Sequence, residues 1–397
     1  MLNEQEVLKV IGRKQNLFSE DLEYHLPEVA EKLNPAKVLV IGAAGSIGSA
    51  TTKLIANIAP DTLHLVDINE NELADLVRQL RISDTLSSRT EFQTFVIDIN
   101  SRSFEAFCND GRTYDYIFNL SALKHVRSES NAYSLARMIE TNIIATNRVI
   151  KNFSHFSKFK YFCVSTDKAA NPVNLMGFSK LIMENYAFAN TENVPVSSAR
   201  FANVAFSNGS LLQSFERRLQ EHKPLVIPKD IYRFFISEKE AGIICVLSGF
   251  LAPHRSILVP SEAAGLRLTS FEEIATNYLN VKGYIPHFVT AEADLPMVEI
   301  KSNKWPVFVS AVDTTGEKPF EEFVGANDQV SESLFTNLSI VHKEASSPNI
   351  SIEEFERRFE LLQNTKGSSK HSIINLLKNT GGNIEYFDVG KYLDDKL

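Results

Sequence analysis

Between an apolar run, Lys37–Ile41, and an amphipathic stretch, Ile47–Ile58, the chain places Gly42-Ala43-Ala44-Gly45-Ser46-Ile47-Gly48. Glycines at this spacing, at a junction of strand and helix, leave few folds open. They permit a tight turn and a close backbone approach, and the helix N-terminus behind them attracts anions. The same alternation continues to about residue 200. Apolar runs at Lys37–Ile41, Thr62–Val66, Glu91–Ile97, Asp115–Leu120, Lys160–Ser165 and Pro195–Phe201 are separated by helical patterns at Ile47–Ile58, Glu70–Ile82, Ser103–Asn109, Tyr133–Phe153 and Gly177–Ala189. Strands that read as continuous apolar runs, each followed by a helix, predict an α/β fold. Its centre is a Rossmann-like, doubly wound parallel sheet covered on both faces.

After Phe201 the pattern turns irregular, with short strands at Ile257–Pro260 and Val307–Ser310 and helices near Leu211–Glu221, Glu238–Phe250 and Ser270–Leu279. The expected division is an N-terminal helical extension (1–36), a dinucleotide-binding domain (37–200), a smaller α/β substrate-binding domain (201–330) and a C-terminal extension (331–397). The third of these has the option of returning some segments to the sheet. The ligand crevice of an open α/β sheet lies at the carboxyl ends of its strands, so a substrate is expected between the two domains. In the N-terminal extension Leu22, Leu26, Val29 and Leu33 fall on one helical face, which predicts that residues 20–33 pack onto the body. In the C-terminal one, Ser351 and Glu354 before Phe355 read as a capping box.

A net charge of −8 argues against a general affinity for nucleic acid or anionic lipid. No apolar run approaches the roughly 20 residues that span a bilayer. Met1-Leu2-Asn3-Glu4 lacks the basic-then-apolar order of a leader. Cys108, Cys163 and Cys245 are far apart and read as buried thiols in a reducing compartment. The histidines show no metal-ligand spacing with cysteine or carboxylate. The expectation is a cytoplasmic protein with no membrane span, no nucleic-acid partner and no metal.

Gly42, Gly45, Ser46, Ile47 and Gly48 are the candidate holders of a dinucleotide's pyrophosphate. Nineteen residues past Gly48, Asp67 ends the second strand, placed to accept from both adenosine ribose hydroxyls. A carboxylate there repels a 2′-phosphate, and Ile68-Asn69-Glu70-Asn71 carries no Arg or Lys, so NAD is favoured over NADP. Asp98, with Ile99, reads either as the adenine contact or as a loop cap. Leu120, Ser121 and Ala122 would let backbone lie along the cofactor. Lys124 faces cofactor, substrate or solvent, and His125 reads equally as a packed ring or a functional one. Asn142 is a poor helix former unless its amide is needed, here to order nearby backbone. The chemistry concentrates in Ser165-Thr166-Asp167-Lys168, which closes the fifth strand ahead of Met176-Gly177-Phe178-Ser179-Lys180 on a helix. An acid and a base stand side by side, shortly before a helix-held lysine. With the glycine loop upstream, they point to an enzyme that borrows a hydride, eliminates water and returns the hydride.

These residues resemble the extended short-chain dehydrogenases. More narrowly, Ala122-Leu123-Lys124-His125-Val126, Ser165-Thr166-Asp167-Lys168-Ala169 and Asn174-Leu175-Met176-Gly177 resemble the UDP-N-acetylglucosamine 4,6-dehydratases of polysaccharide biosynthesis. The resemblance runs from about Ile11 to Gly325 and includes Arg200-Phe201-Ala202-Asn203, Arg233–Ser237 and Gly316–Glu321. It implies oxidation, dehydration and reduction of a UDP-sugar without net loss of NAD, with that sugar and further copies of the chain as partners. Removing a hydride at carbon 4 gives a ketone that acidifies the proton on carbon 5. Lys168 is then the base for that proton and Asp167 the acid for the hydroxyl leaving carbon 6. Lys168 must be neutral and Asp167 protonated to act; full burial pushes each that way by up to roughly 3–5 units. A loop ion pair is the alternative. Ser165 lines the cofactor, Lys180 holds the nicotinamide ribose, and Thr166 contacts the 4-hydroxyl.

Asn203, Arg233 and Glu317 are the candidates for the nucleotide diphosphate-sugar, Arg233 because its fork matches phosphate oxygens. A surface salt bridge is its alternative. Two departures stand out. The proton-accepting tyrosine of most short-chain dehydrogenases is Met176, which shapes the sugar pocket but cannot ionise, and which the resemblance associates with retention at carbon 5. Thr314-Thr315 stand where the family often has Arg-Pro. An epimerase or dehydrogenase, and a catalytically silent NAD-binding protein, are the rival readings.

Overall fold

The apolar runs assemble into one nine-stranded sheet. The computed structural model describes residues 2–154, 158–189, 194–291, 303–311, 318, 320–326, 328–343, 348–365, 369–382, 384 and 386. Six parallel strands form the body: β1 (Lys37–Ile41), β2 (Thr62–Asp67), β3 (Glu91–Val96), β4 (Tyr116–Asn119), β5 (Lys160–Val164) and β6 (Val196–Ala199). Their spatial order is β6-β5-β4-β1-β2-β3. The chain runs outward from β1 to β3 and then crosses back to place β4 on the other side of β1. The reversal opens a crevice at the carboxyl ends of β1 and β4, where a doubly wound sheet takes its ligand. Both faces are covered. Val38 and Val40 point into one core with Ile243, Ile244 and Leu247 of the Glu238–Leu251 helix, while Leu39 and Ile41 point into another with Val149 and Phe153. Burial on both faces is why the central strands carry no polar alternation, while β3 at the edge is largely exposed and mixes polar with apolar residues.

Beyond β6 the sheet continues with Ser256–Pro260, parallel to β6, and then Leu338–Lys343 and Asp328–Ser331, both antiparallel to their neighbours. The expected boundary at 330/331 therefore divides one strand and assigns Leu338–Lys343 to an extension, although it lies inside the sheet. The smaller layer is a three-stranded parallel sheet of Ile285–Val289, Lys304–Ser310 and Leu225–Pro228, packed on the Leu211–Gln220 and Phe271–Val281 helices. Leu8 and Val10 of the first helix, Glu4–Val10, join that core.

Two local readings are corrected. In the Ser19–Leu33 helix the buried residues are Asp21, His25, Val29 and Leu33, while Leu26 is exposed. The face is turned toward Asp21, whose carboxylate accepts the backbone N–H groups of Thr336 and Asn337. Ser351 caps the Ile352–Asn364 helix through the Glu354 N–H, but the Glu354 carboxylate pairs with Arg357 and Arg358. That helix and Lys370–Gly381 pack through Phe355, Phe359, Ile373 and Leu377 onto Leu175, Phe178, Ile182 and Tyr186 of the Leu175–Ala189 helix.

A buried charge network joins these parts. Arg200, just past β6, donates from Nε and Nη2 to the two oxygens of Glu184 at 2.9 and 2.8 Å, and from Nη1 to Asp328. Lys343 Nζ reaches Glu184 at 3.1 Å, and Ser165 Oγ donates to it at 2.6 Å. Burial alone would raise the Glu184 carboxyl, yet Arg200 and Lys343 hold it down at about 2. A depressed carboxyl stabilises the fold fully above its unfolded value, near 4.5, and that share is lost as pH falls toward 2. Glu184→Ala should leave Arg200 and Lys343 without their shared anion and cost ~3–5 kcal/mol. Denaturant unfolding at neutral pH measures the loss. The gap between variant and wild type should narrow in acid.

Candidate active site

The crevice is built first by backbone. Gly42 takes φ +74°, and a Cβ there would lie 2.6 Å from Ser121 N, so the loop after β1 passes close under the segment after β4. A Cβ on Gly48 would lie 1.9 Å from Gly42 O, which brings the Ser46–Ile58 helix against its own loop. Gly45 differs: its Cβ position meets only Gly42 O, at 3.7 Å. It caps the helix without a side-chain hydrogen bond. A positive helix end opening on unfilled space fits the pyrophosphate of a dinucleotide. Ile47 follows in the first helical turn, half-buried. Ser46 Oγ accepts from Asn208 N at 3.0 Å, and Lys124 Nζ donates to the neighbouring Ser207 Oγ at 3.1 Å. A segment of the smaller layer thus lies along one side of the loop. Desolvation of its amine end lowers the pKa of Lys124.

Asp67 ends β2 and is buried. Its Oδ2 accepts from Ala44 N at 2.8 Å and its Oδ1 from Asn69 N at 2.9 Å. One carboxylate therefore ties the glycine loop to the strand end where a ribose would lie. Asp98 accepts from Arg137, an ion pair that no local pattern announced, and Ile99 beside it is buried. Leu120 N donates to Ile41 O, and Asn119 Oδ1 accepts both the N–H and the hydroxyl of Ser121. Ala122 follows, half-buried. Asn142 is fully buried in a π-helical turn, Glu140–Ile144. Its amide accepts from Leu123 N and donates to Leu123 O, each at 3.0 Å, and donates to Ser179 Oγ. The widened turn aims the amide sideways, so one residue clamps the loop after β4 to the helix of Lys180. His125 is exposed, its ring against Gly209.

The acid and base stand in one turn after β5. Thr166 Oγ1 donates to Asp167 Oδ1 at 2.8 Å, and Lys168 reaches the same oxygen from N at 2.9 Å and from Nζ at 3.0 Å. Asp167 is 3% exposed. The sequence alone set burial against each charge separately; in the fold the two charges are matched against each other at contact distance. Lys180 lies beneath, donating from Nζ to Val164 O at 3.0 Å, and burial lowers its pKa to about 8. Met176, one turn earlier, is buried among Leu135, Ile139 and Phe178, with its N–H donating to Glu129. Asn203 and Arg233 lie on short strands of the smaller layer, paired to Phe235 and Thr269. Arg233 is buried, which removes the surface salt-bridge reading, and it donates to the carbonyls of Tyr232 and Lys318. Glu317, with Thr314 and Thr315, lies outside the described residues.

Glu321 was missed as a site residue. It is 3% exposed, with Oε1 3.8 Å from Lys168 Nζ. Glu321 ends the Gly316–Glu321 motif, and nothing local in that segment signals burial beside Lys168. Among the described residues no group of three or more His, Cys, Asp or Glu could hold a metal ion, and no helix is long and apolar enough to cross a membrane.

A dinucleotide-type α/β sheet with an acid–base turn at one strand end defines the class. The chain belongs to the polysaccharide biosynthesis protein family, whose profile matches residues 38–343. That span includes the antiparallel strands that close the sheet. The chain is 29% identical over 245 residues to a UDP-N-acetylglucosamine 4,6-dehydratase (inverting) of Campylobacter jejuni, covering 60% of this chain and 70% of that one. It is 26% identical over 281 residues to the capsular polysaccharide biosynthesis protein CapD of Staphylococcus aureus, covering 70% of this chain but only 46% of CapD. It thus spans about half the length of that relative. Among solved structures, the UDP-glucuronic acid 4-epimerase of Bacillus cereus, in complex with UDP-glucuronic acid and NAD, superposes with a TM-score of 0.53 at 19% identity, covering 72% and 89% of the two chains.

The glycine geometry gives a direct test. Gly48→Ala must push the helix off Gly42 O and should weaken NAD binding at least ~10-fold, about 1.4 kcal/mol. Titration calorimetry with NAD measures it, and unchanged affinity would mean that the loop does not hold the dinucleotide.

Proposed function

We propose that the chain is an NAD-dependent nucleotide-sugar 4,6-dehydratase. It converts UDP-N-acetylglucosamine to a UDP-4-keto-6-deoxy-N-acetylhexosamine for surface polysaccharide or glycan biosynthesis. One observation carries the reading: Thr166 and Lys168 both bond one oxygen of the buried Asp167, above the buried Lys180. Family membership and the similarity to a protein named for this activity support it. The space over Gly45 and the NAD in the epimerase complex support the cofactor. Backbone of the glycine loop, Asp67, the Leu120–Ala122 segment and Lys180 would hold it. NAD, when bound, supplies a reversible two-electron store.

Every proton then falls to side chains. Oxidation at carbon 4 releases the hydroxyl proton, and Met176 has no site for it. Thr166 Oγ1 can take that proton while passing its own to Asp167 Oδ1, 2.8 Å away. Asp167 becomes the acid that the next step requires, which places the oxidation before the elimination. Neutral Lys168 takes the carbon 5 proton, Asp167 protonates the hydroxyl leaving carbon 6, and water departs. Lys168 returns its proton to carbon 5 as carbon 6 is reduced. An epimerase has no use for this pair, and Met176 removes the tyrosine on which epimerases depend.

Incubation with UDP-N-acetylglucosamine should give a product lighter by the mass of water. Asp167→Asn and Lys168→Ala should each lower turnover ~100- to 10,000-fold with NAD affinity unchanged. Near-wild-type turnover in either would defeat the assignment. Met176→Ala should be milder than both, since a thioether only packs. Proton NMR of the first-formed product should show retention at carbon 5; an inverted centre would overturn the stereochemical part alone.

A further inference from the structure

A second buried carboxylate lies beside the acid–base pair that the mechanism uses. Lys168 Nζ lies 3.0 Å from Asp167 Oδ1 and 3.8 Å from Glu321 Oε1. Glu321 Oε2 is buried, with no hydrogen-bond donor among the described residues and the Lys318 amine at 3.7 Å. A carboxylate this buried and this incompletely bonded is costly unless it has a use. The proton ledger of the proposed reaction supplies one. The proton from the 4-hydroxyl converts Asp167 to its acid form and so dissolves its ion pair with Lys168. Lys168 still carries its own proton at that moment, and an ammonium cannot take another from carbon 5.

We propose that Glu321 is the positioning residue that accepts this proton from Lys168, leaving a neutral amine as the base at carbon 5. The inference rests on the dehydratase reading. In the step an Nζ–H bond of Lys168 breaks and an O–H bond forms on Glu321; an ammonium and a carboxylate become an amine and a carboxylic acid, with no net charge created in the pocket. The transfer reverses once Lys168 has returned the carbon 5 proton. The charged groups facing Glu321 are Lys168 and Asp167 from the turn after β5, Arg233 from the Tyr232–Arg233 strand and Lys318 from its own segment. Burial has the largest influence on its carboxyl and raises it; Lys168 opposes this, Asp167 adds to it, and Arg233 and Lys318 oppose it. A carboxyl raised by its surroundings holds a proton more readily than one in water, as an acceptor from an ammonium must.

The test uses the full chain with NAD, UDP-N-acetylglucosamine as substrate, and Glu321→Gln, which keeps the shape and removes the acceptor. The kcat should fall ~10-fold or more, with KM held within about twofold. The pH at which kcat reaches half its maximum should move upward, because Lys168 must then lose its proton to solvent. Glu321→Asp, an acceptor one methylene shorter, should lower kcat and keep the wild-type pH profile. If Glu321→Gln shows a lowered unfolding midpoint, Glu321→Asp decides the matter by its kcat and profile. An unchanged kcat and profile in Glu321→Gln, or a rise in KM alone, overturns the inference while the dehydratase reading stands. A wild type that removes no water from the UDP-sugar overturns both.

Discussion

The structure hangs on the buried Glu184–Arg200 pair. Glu184 is on the helix that carries Lys180, and Arg200 follows β6. Ser165, at the head of the acid–base turn, bonds Glu184, while Asp328 and Lys343 arrive from the two antiparallel strands. Five residues from separate parts of the chain thus satisfy one another where water does not reach. Such a set tolerates few alternative registers, because any slip leaves a charge unpaired in low dielectric. The strand end bearing Thr166–Lys168 and the helix bearing Lys180 are located relative to each other by this lock.

A second, neutral lock acts on the cofactor side. Asn142 bonds both polar groups of the Leu123 peptide and the Ser179 hydroxyl, so the loop after β4 and the Lys180 helix share one clamp. The π-helical turn around it interrupts a helix that would otherwise run on from Ala132 to Ser154, and such turns are common where side chains must be re-aimed. Behind the same helix the two C-terminal helices seat Phe355, Phe359 and Leu377 against Phe178, Ile182 and Tyr186. Chain far from the chemistry in sequence thereby backs the helix that presents Met176 and Lys180.

Local patterning carried most of the parallel sheet. The central strands and their helices were legible because a strand buried on both faces is mostly apolar and helices packed on it show a 3.6-residue period, whereas β3, exposed at the sheet edge, was legible only from its place in the strand–helix alternation. The positions of the glycine loop after β1, of Asp67 at the end of β2 and of the Thr166–Lys168 turn after β5 were legible because each sits at a strand end that local pattern marks. The antiparallel strands Asp328–Ser331 and Leu338–Lys343 were not. Leu338–Lys343 takes its place by pairing to Ser256–Pro260, and Asp328–Ser331, a short and largely exposed edge strand, pairs in turn only with Leu338–Lys343. The Ser19–Leu33 helix packs on the body through Leu22, Val29 and Leu33 as its periodicity predicts, but the exposure of Leu26 was not legible, since Asp21 binds two backbone donors of a distant loop, a partner that periodicity does not contain.

By itself the sequence determined which residue types stand at the strand ends and on the helix that follows: the permissive glycines, the carboxylate of Asp67, Asp167 beside Lys168, and Met176 with no group to ionise. Side-chain chemistry and neighbour spacing travel with the chain and need no fold to be read. Tertiary structure alone decided what surrounds them. It set Arg137 against Asp98, the Asn142 amide across the Leu123 peptide and Glu321 beside Lys168, across more than 150 residues in the last case. Charge state and hydrogen bonding depend on distance in space and on the exclusion of water, and neither is defined until the chain has closed on itself.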